Sequence, residues 1–402
     1  MNKTDNMSIR QQKVRAGGID IHKDKTVVCF YIAGIKEEVK EYGTFTEDLE
    51  KIRDDLLNQN IREVIIESTG IYWIALCTVL TLSKIEVTVV NPKFIKNMPK
   101  EKTDRKDARW LCKLLVNGLV RNSFVASEEQ RAFRELCRMR SKYTNHITQA
   151  GNRMVKTLER RNIKLKSVAS NTKSKSIKEI IAALAHGETD VEKLLKLCRG
   201  KLKKKEPEMR KALHGVLTPH DRLMMQDLLN DIAHFEKQIQ GLNERIKQHT
   251  DKVNEELIKN IRVVSGIGAQ SVEVLLAEVG SNVNAFENED KLAAWVGLAP
   301  GNKESAGKAH YAGRRDGNVY LRTIMIQVAW AAVRTKNSYW RAMYYHLSKR
   351  INKGKAIIAV ARKLIRLIYK IIKGTKTYTE YGADYFVQQL QERYAKRRTQ
   401  QA

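Results

Sequence analysis

Short apolar runs alternate with amphipathic stretches through the amino-terminal third of the chain. Residues 1–15 are polar and are expected to form a flexible tail. Beyond them, the spacing of apolar positions switches between the period of strands and the period of helices. The pattern predicts strands over residues 26–33, 38–45, 62–68 and 84–91, and helices over residues 47–58, 72–80 and 104–118.

The order of these elements sets the expected fold of this region. The first two strands flank a short turn and are expected to form a hairpin, after which helices and strands alternate. This is the order of a ribonuclease H-like α/β fold. Ligands of such sheets gather at strand ends, and Asp20 and Glu67 each lie at the edge of an apolar run.

Acidic residues from three places in the chain are expected to form a metal site. Asp104 and Asp107 are three positions apart at the start of a predicted helix, so both can converge with the strand-end carboxylates. Mg²⁺ prefers oxygen ligands, and crowded carboxylates repel one another unless a cation neutralises them. Two such ions can clamp the attacking and leaving oxygens of a phosphodiester. A single carboxylate at a strand end is usually only solvated, so the prediction depends on the whole set, Asp20, Glu67, Asp104 and Asp107.

The middle of the chain is helical and strongly basic. Two long amphipathic patterns occur, and the second, after Pro219, carries an apolar residue every three or four positions from Met225 to Val253, with one polar interruption. This is the heptad spacing of a coiled coil. Two partners fit it equally: the helix predicted over residues 133–158 of the same chain, or a helix of a second protomer.

A Gly-Ile-Gly turn and a basic loop mark the carboxyl-terminal region. The turn, within residues 260–280, fits either a helix-hairpin-helix that holds phosphate or a plain glycine turn between packed helices. The loop that follows contains Ser305. A loop serine is usually a turn residue, but basic residues nearby could stabilise a phosphoryl transition state. These nucleic-acid-binding candidates are Lys308, Arg314, Arg315 and Arg322.

The charge of the chain indicates a nucleic-acid partner. Its 402 residues include 74 Lys and Arg against 45 Asp and Glu, a formal net charge of +29. Basic residues recur along the whole length, as expected for contact with a phosphate backbone. The cysteines lack metal-ligand spacing, and no targeting segment or membrane span is apparent, so a cytoplasmic protein of two or three domains is expected.

Five segments occur in a fixed order along the chain. They are GGIDIHKD, VIIESTGIYW, VNPKFIKNMPKEKTDRKDARWLC, VSGIGAQSVEVLLAEVG and VGLAPGNKESAGKAHYAGRRDGNVYLR. Together they resemble the DEDD transposases of the IS-one-ten (IS110) insertion-sequence family, from about Gly18 to about Lys373. The histidine of the first segment is more similar to the IS-eleven-eleven subgroup.

The resemblance implies a domain organisation and a set of site residues. A RuvC-like nuclease domain is expected over residues 16–125, a helical coiled-coil region over residues 126–258, and a mainly α transposase domain over residues 259–402. The resemblance assigns the catalytic, metal-binding acidic tetrad to Asp20, Glu67, Asp104 and Asp107, and the nucleophile to Ser305. The serine loop reads SAGK where relatives often show SGG or SGN, which keeps the serine and changes its neighbours.

The same resemblance implies a bacterial or archaeal transposase that excises and inserts a mobile element by site-specific recombination. DNA is then the substrate, and some relatives are directed by a structured guide RNA. Because several strands are cut and rejoined, a homo-oligomer is expected, either a dimer or a tetramer. Two other functions fit the charge, a noncatalytic nucleic-acid-binding protein and a Holliday-junction resolvase that uses metal alone. The acidic tetrad argues against the former, and Ser305 argues against the latter.

Overall fold

The chain divides into two compact units, Met1–Ala126 and Ser127–Ala402. The structure is a computed structural model that describes residues 13–68, 70–92, 103–120, 123–169, 174–301, 303–305, 308–310 and 316–401. The division falls beside the predicted boundary at residue 125, whereas the predicted boundary at residue 258 falls inside the second unit. The three-domain organisation therefore stays a prediction.

The first unit contains a five-stranded mixed sheet. Its strands are β1 (Arg15–Ile21), β2 (Thr26–Ile32), β3 (Lys36–Tyr42), β4 (Glu63–Glu67) and β5 (Glu86–Val90), in the order β3-β2-β1-β4-β5. β1, β2 and β3 are antiparallel, whereas β1, β4 and β5 are parallel. The helices of this unit are α1 (Thr46–Asn58), α2 (Trp73–Leu82) and α3 (Asp104–Val116). This mixed α/β sheet is consistent with the predicted ribonuclease H-like fold.

β1 is the strand that the apolar pattern did not predict. Its sequence, RAGGIDI, contains two adjacent glycines, which lower strand propensity and interrupt the alternation. β1 is nevertheless the central strand of the sheet and is buried beyond Arg15. The predicted hairpin of the next two strands is confirmed, with a register from Thr26 opposite Tyr42 to Ile32 opposite Lys36. Most of the predicted amino-terminal tail lies outside the described residues.

Two apolar cores cover the two faces of the sheet. Successive side chains of a strand point to opposite faces, so neighbouring residues belong to different cores. The core beneath α1 and α2 includes Ile19, Val28, Val64, Ile66, Ile52, Leu56, Leu76 and Leu80. The core beneath α3 includes Ala16, Val27, Cys29, Ile65, Ala108, Leu111, Cys112 and Leu115. α3 is therefore the helix that closes the second face of the sheet.

The second unit is mainly helical, as the pattern predicted. Its helices are α4 (Glu128–Arg160), α5 (Leu165–Val168), α6 (Lys175–Ala185), α7 (Val191–Leu195), α8 (Glu206–Ala212), α9 (Pro219–Thr250), α10 (Glu255–Arg262), α11 (Ala269–Val279), α12 (Glu289–Val296), α13 (Val319–Arg334), α14 (Tyr339–Ser348), α15 (Lys353–Ile372) and α16 (Gly382–Gln401). A 3₁₀ helix forms over Gly200–Lys205. β6 (Lys303–Ser305) and β7 (Lys308–His310) form a short antiparallel hairpin.

α4 and α9 pair along their lengths in antiparallel orientation. Near one end, the rings of Phe133 and His249 stack with centroids 5.2 Å apart. Near the other end, Arg161 Nε donates a hydrogen bond to Asp221 Oδ2 at 2.6 Å. The helix that pairs with the apolar positions from Met225 to Val253 is therefore α4 of the same chain. A coiled coil between protomers stays a prediction.

The Gly-Ile-Gly turn packs closely against α13. Gly266 has a φ of +88°, and a Cβ atom there would lie 2.5 Å from the carbonyl oxygen of Val328 and 2.7 Å from the amide nitrogen of Ala332. Glycine is required at this position because it tolerates positive φ and adds no side chain. These contacts support the interpretation of a glycine turn between packed helices.

All five cysteines are buried. Cys29, Cys77, Cys112, Cys137 and Cys198 are all free thiols. Among the residues that the structure describes, no helix combines the length and the hydropathy needed to cross a membrane.

Candidate functional site

Asp20 and Glu67 lie at the same edge of the sheet. β1 and β4 are parallel neighbours in which Ile19 is opposite Ile66, so the next residues of the two strands are Asp20 and Glu67. Asp20 is 6% exposed, and Glu67 is half-buried. Both carboxylates were expected near strand ends, and the parallel pairing of β1 with β4, which the apolar pattern did not predict, brings them to one edge of the sheet.

α3 brings the other two predicted carboxylates to the first unit's sheet. The helix begins after Thr103, whose hydroxyl oxygen accepts a hydrogen bond from the amide of Lys106 at 3.3 Å. Asp104 and Asp107 occupy the first turn, where the helix dipole favours acidic side chains.

Two residues of the loop after β1 connect Asp20 to Asp104. His22 Nε2 lies 3.2 Å from Asp20 Oδ2 and 3.7 Å from Asp104 Oδ1. Lys25 Nζ lies 2.6 Å from Asp104 Oδ2. The potential ligand atoms of Asp20, His22 and Asp104 all lie within 4.8 Å of one another. The loop thus places the His22 imidazole between the two carboxylates and the Lys25 ammonium against Asp104.

The surroundings of Asp20 and Asp104 shift the pKa values of the two carboxyls in opposite directions. Burial raises the pKa of the Asp20 carboxyl above its ordinary value, and the charges of Glu67 and Asp107 raise the pKa further, although His22 opposes the rise. The pKa of Asp104 is instead lowered, chiefly because Lys25 donates a hydrogen bond to its carboxylate. Asp20 is therefore a buried carboxyl whose charged form a bound cation would stabilise.

The donor set of this cluster fits a hard divalent cation. Carboxylate oxygens are the ligands that Mg²⁺ and Mn²⁺ prefer, and an imidazole nitrogen adds affinity for transition metals. The ligand atoms of Asp20, His22 and Asp104 converge, and the charges of Glu67 and Asp107 act on the same carboxylate. A bound cation would take over the neutralising contact that Lys25 makes with Asp104, with His22 as a further ligand.

His22 is the potential ligand that the spacing of acidic residues did not identify. The sequence contained a signal for it, because residues two apart near a strand end tend to face the same side, and His22 follows Asp20 by two positions. Lys25 had no comparable signal, since its contact with Asp104 depends on how α3 packs against β1.

Ser305 and its basic neighbours belong to the second unit. Ser305 is the last residue of β6, and its backbone pairs with that of Lys308 in β7. Arg314 and Arg315 lie outside the described residues. Arg322 is on α13 and is only 8% exposed, so its burial does not favour the predicted direct contact with phosphate.

A buried carboxylate anchors the carboxyl-terminal end of the serine-bearing loop. The side chain of Glu278 is fully buried, and its Oε2 accepts a hydrogen bond from Asn318 Nδ2 at 2.6 Å. Asn318 in turn caps α13, because its Oδ1 accepts a hydrogen bond from the amide of Leu321 at 3.0 Å. Arg138 binds both oxygens of Glu278, at 2.7 and 2.8 Å. α4, α11 and the start of α13 are therefore joined at one carboxylate, which the sequence pattern did not predict.

Comparison with known proteins identifies similar transposases across most of the chain. A family model for transposases of the DEDD IS110 type matches residues 17–163. A second model, for the transposase IS116/IS110/IS902 family, matches residues 258–346. The first match contains the acidic cluster, and the second contains Ser305.

Individual relatives carry transposase names. A protein of Pseudomonas aeruginosa named "Probable family 20 transposase" is 24% identical over 297 residues, covering 73% of this chain and 78% of that protein. A protein of Sinorhizobium fredii with the transposase name y4pF/y4sB is 25% identical over 302 residues, covering 73% of this chain and 69% of that protein. With two matching family models in order along the sequence and relatives named transposase, the chain belongs to the IS110 family of DNA transposases.

Proposed function

We propose that this transposase excises and inserts a mobile element by cleaving and rejoining DNA, with a Mg²⁺-binding acidic cluster and a serine nucleophile. The observation that carries the proposal is the meeting of the ligand atoms of Asp20, His22 and Asp104, beside the strand end that carries Glu67. Converging carboxylates of this kind bind the divalent ions that assist phosphodiester displacement. The histidine beside them favours the IS-eleven-eleven-like subgroup.

The acidic residues have distinct positions and therefore distinct proposed roles. Asp20 is the most buried of the four carboxylates. Glu67 and Asp107 are the negative charges that act on Asp20. Asp104 is the more exposed ligand and lies on α3. A bound Mg²⁺ supplies Lewis-acid stabilisation of phosphoryl oxygens. His22 and Lys25 hold the two carboxylate groups in place and balance their charge.

Ser305 is proposed as the nucleophile because it occupies the serine position of the family motif. Its hydroxyl oxygen forms a bond to phosphorus, the bond from phosphorus to one DNA oxygen breaks, and the departing oxygen takes up a proton. The resulting phosphoserine diester conserves the bond energy of the backbone. A hydroxyl of another DNA strand then attacks the same phosphorus and releases the serine, so rejoining needs no nucleotide triphosphate.

The nucleic-acid partners are proposed from charge and family resemblance. A net charge of +29 supports contacts with a long phosphate backbone, and Lys308, Arg314 and Arg315 are proposed to contribute near the serine. A structured guide RNA is proposed as the source of sequence choice, because base pairing can select a site while the protein binds shape and backbone. Homo-oligomerisation is proposed because several strands are exchanged together.

Strand exchange by site variants tests the role of the acidic cluster. Asp20→Asn, Glu67→Gln, Asp104→Asn and Asp107→Asn should each abolish strand exchange and leave DNA binding largely unchanged, because affinity for phosphate comes mainly from Lys and Arg. Asp24→Asn is the matched control, since Asp24 lies in the same loop and is exposed. Full recombination by the double variant Asp104→Asn/Asp107→Asn, or by wild type in a chelator, would contradict the proposal.

A further inference from the structure

A small aromatic cavity lies in the carboxyl-terminal part of the second unit. It has a volume of about 230 Å³ and is formed by α14, α15, the start of α16 and the segment that leads into α16. Five aromatic side chains line it, Tyr339, Trp340, Tyr378, Tyr381 and Tyr385. Most of the residues that line it come after residue 346 in the sequence, where the match to the second family model ends. The proposed chemistry of the acidic cluster and of Ser305 does not use it.

The aromatic rings form a fixed floor and an exposed rim. Trp340 is 3% exposed, and its ring stacks on that of Tyr378 with an interplanar angle of 18°. Tyr381 and Tyr385 are 59% and 36% exposed, with ring centroids 4.6 Å apart. Exposed aromatic faces beside a cavity are costly to leave in water and are characteristic of stacking surfaces.

A single carboxylate holds the cavity together. Glu380 accepts hydrogen bonds from the amide of Tyr339 at 2.9 Å and the amide of Gly382 at 3.1 Å. It also accepts one from the Ser265 hydroxyl at 3.1 Å and one from the Tyr378 hydroxyl. Because these donors occupy its oxygens, the exposed Glu380 carboxylate braces the wall of the cavity.

The other charged residues of the lining are all cationic. They are Lys363, Arg366, Lys370 and Lys376. Arg366 and Lys370 contact Glu289 at 3.2 and 3.1 Å but keep 40% and 43% of their side chains exposed. Lys376 is exposed. The lining thus combines exposed ring faces with positive charge, which suits a planar group attached to an anion.

We propose that this cavity binds one unpaired base of a single-stranded nucleic acid. Tyr381 and Tyr385 stack on the base, and Lys376 and Lys370 contact the phosphates on either side of it. The volume is below the roughly 300–1,000 Å³ of clefts for drug-sized ligands, so it suits a single planar base. The assignment rests on the proposed function, which makes nucleic acid the partner, and extends it with a site for unpaired strands.

Binding of labelled oligonucleotides to the full-length protein tests this site. The probes are single-stranded DNA and RNA of about 12 nucleotides, each with one 2-aminopurine, and a duplex of the same sequence. Tyr381→Ala/Tyr385→Ala should weaken single-strand binding about tenfold or more and abolish quenching of 2-aminopurine, while duplex affinity changes little. A larger loss with RNA than with DNA would identify an RNA strand as the natural occupant, and the reverse would identify DNA.

Two control variants separate stacking from folding. Tyr381→Phe/Tyr385→Phe keeps both rings and should bind single strands as wild type does. Tyr345→Ala removes a tyrosine of α14 that is 50% exposed and is not part of the lining, and it should also bind normally. Wild-type single-strand affinity in the alanine variant, or an equal loss of single-strand and duplex affinity, would overturn the site.

Strand exchange reports on the proposed function independently of this cavity. If wild type binds single strands through Tyr381 and Tyr385 but never recombines DNA, the proposed recombinase function is wrong and the proposed base site is supported. If wild type recombines DNA and the alanine variant binds single strands as wild type does, the proposed base site is wrong and the proposed recombinase function is supported.

Discussion

Gly18 lies directly against the backbone of Ala108. A Cβ atom at Gly18 would be 2.2 Å from the carbonyl oxygen of Ala108 and 2.5 Å from the amide nitrogen of Cys112. The absence of a side chain on β1 is thus what lets α3 pack on the sheet at backbone distance. Asp104 and Asp107 start the same helix, so this contact fixes their approach to Asp20.

Substitution of Gly18 tests whether this close approach supports the site. Gly18→Ala should destabilise the protein by about 1–3 kcal/mol or more, because the added methyl group meets backbone that must move. It should also reduce metal binding, since α3 is displaced. Thermal unfolding and titration with Mn²⁺ measure the two effects.

Gly241→Ala is the matched control for added volume. Gly241 lies within α9, and a Cβ atom there meets no atom within 4 Å. Alanine is the better helix former, so this variant should be as stable as wild type or up to about 1 kcal/mol more stable. Equal stability of Gly18→Ala and Gly241→Ala would contradict the proposed role of the contact.

Metal binding should reverse the effect of Asp20 on folding. Because the pKa of Asp20 is raised, the folded state binds a proton more tightly than the unfolded chain does. Without metal, the ionisation of Asp20 therefore lowers the free energy of unfolding as the pH rises from the unfolded pKa through the folded pKa. Metal-free Asp20→Asn should therefore be at least as stable as metal-free wild type at neutral pH. Thermal unfolding in a chelator measures this, and a large loss of stability in Asp20→Asn would contradict it.

Added Mg²⁺ or Mn²⁺ should stabilise wild type but not Asp20→Asn. At ten times the dissociation constant the gain is about 1.4 kcal/mol, and it should shrink as pH falls because protons compete for the Asp20 carboxylate. Asp24→Asn should keep the full gain. An equal metal-dependent shift in Asp20→Asn would place the ion elsewhere.

The pairing of α4 with α9 should depend on Asp221. Burial by itself would raise the pKa of Asp221, but hydrogen bonds from Thr218, Arg161 and Arg160 outweigh burial and hold the pKa well below its ordinary value. A lowered carboxyl pKa gives stability that is present above the unfolded pKa of about 4 and is lost as pH falls further.

Asp221→Asn should lower the free energy of unfolding by about 2 kcal/mol at neutral pH and weaken the pH dependence of stability below about pH 4. Asp227→Asn provides the comparison on the same helix, because Asp227 is exposed. Urea unfolding at several pH values measures both variants. Identical acid sensitivity of the two variants would show that the Asp221 contacts contribute little.

The sequence predicted the parts of the site that depend on periodicity. Glu67 was located because a buried strand ends beside it, and Asp20 because it lies at the edge of an apolar run. Asp104 and Asp107 were located because a helix begins there. β1 was missed because its two adjacent glycines interrupt the apolar alternation of a strand. One of them, Gly18, is needed because α3 packs against it at backbone distance. Lys25 and Glu278 were missed because their contacts join residues far apart in sequence, and such contacts follow from packing rather than from a local pattern.

An RNA partner is expected to accompany the protein from cells that carry its complete mobile element. The surplus of positive charge suits a second polyanion, and base pairing would supply the sequence choice. Purification followed by sequencing of bound RNA measures this directly. Background RNA alone, together with efficient strand exchange on naked DNA, would exclude a guide.

The most direct test of the recombination mechanism is recovery of the covalent protein–DNA intermediate. Wild type with Mg²⁺ should yield an adduct whose linkage maps to Ser305, and Ser305→Ala should bind the same DNA and yield none. Asp20→Asn should also bind DNA without forming the adduct. An adduct of normal yield in Ser305→Ala, or one that maps to Tyr311 or Tyr320 in wild type, would contradict the serine mechanism.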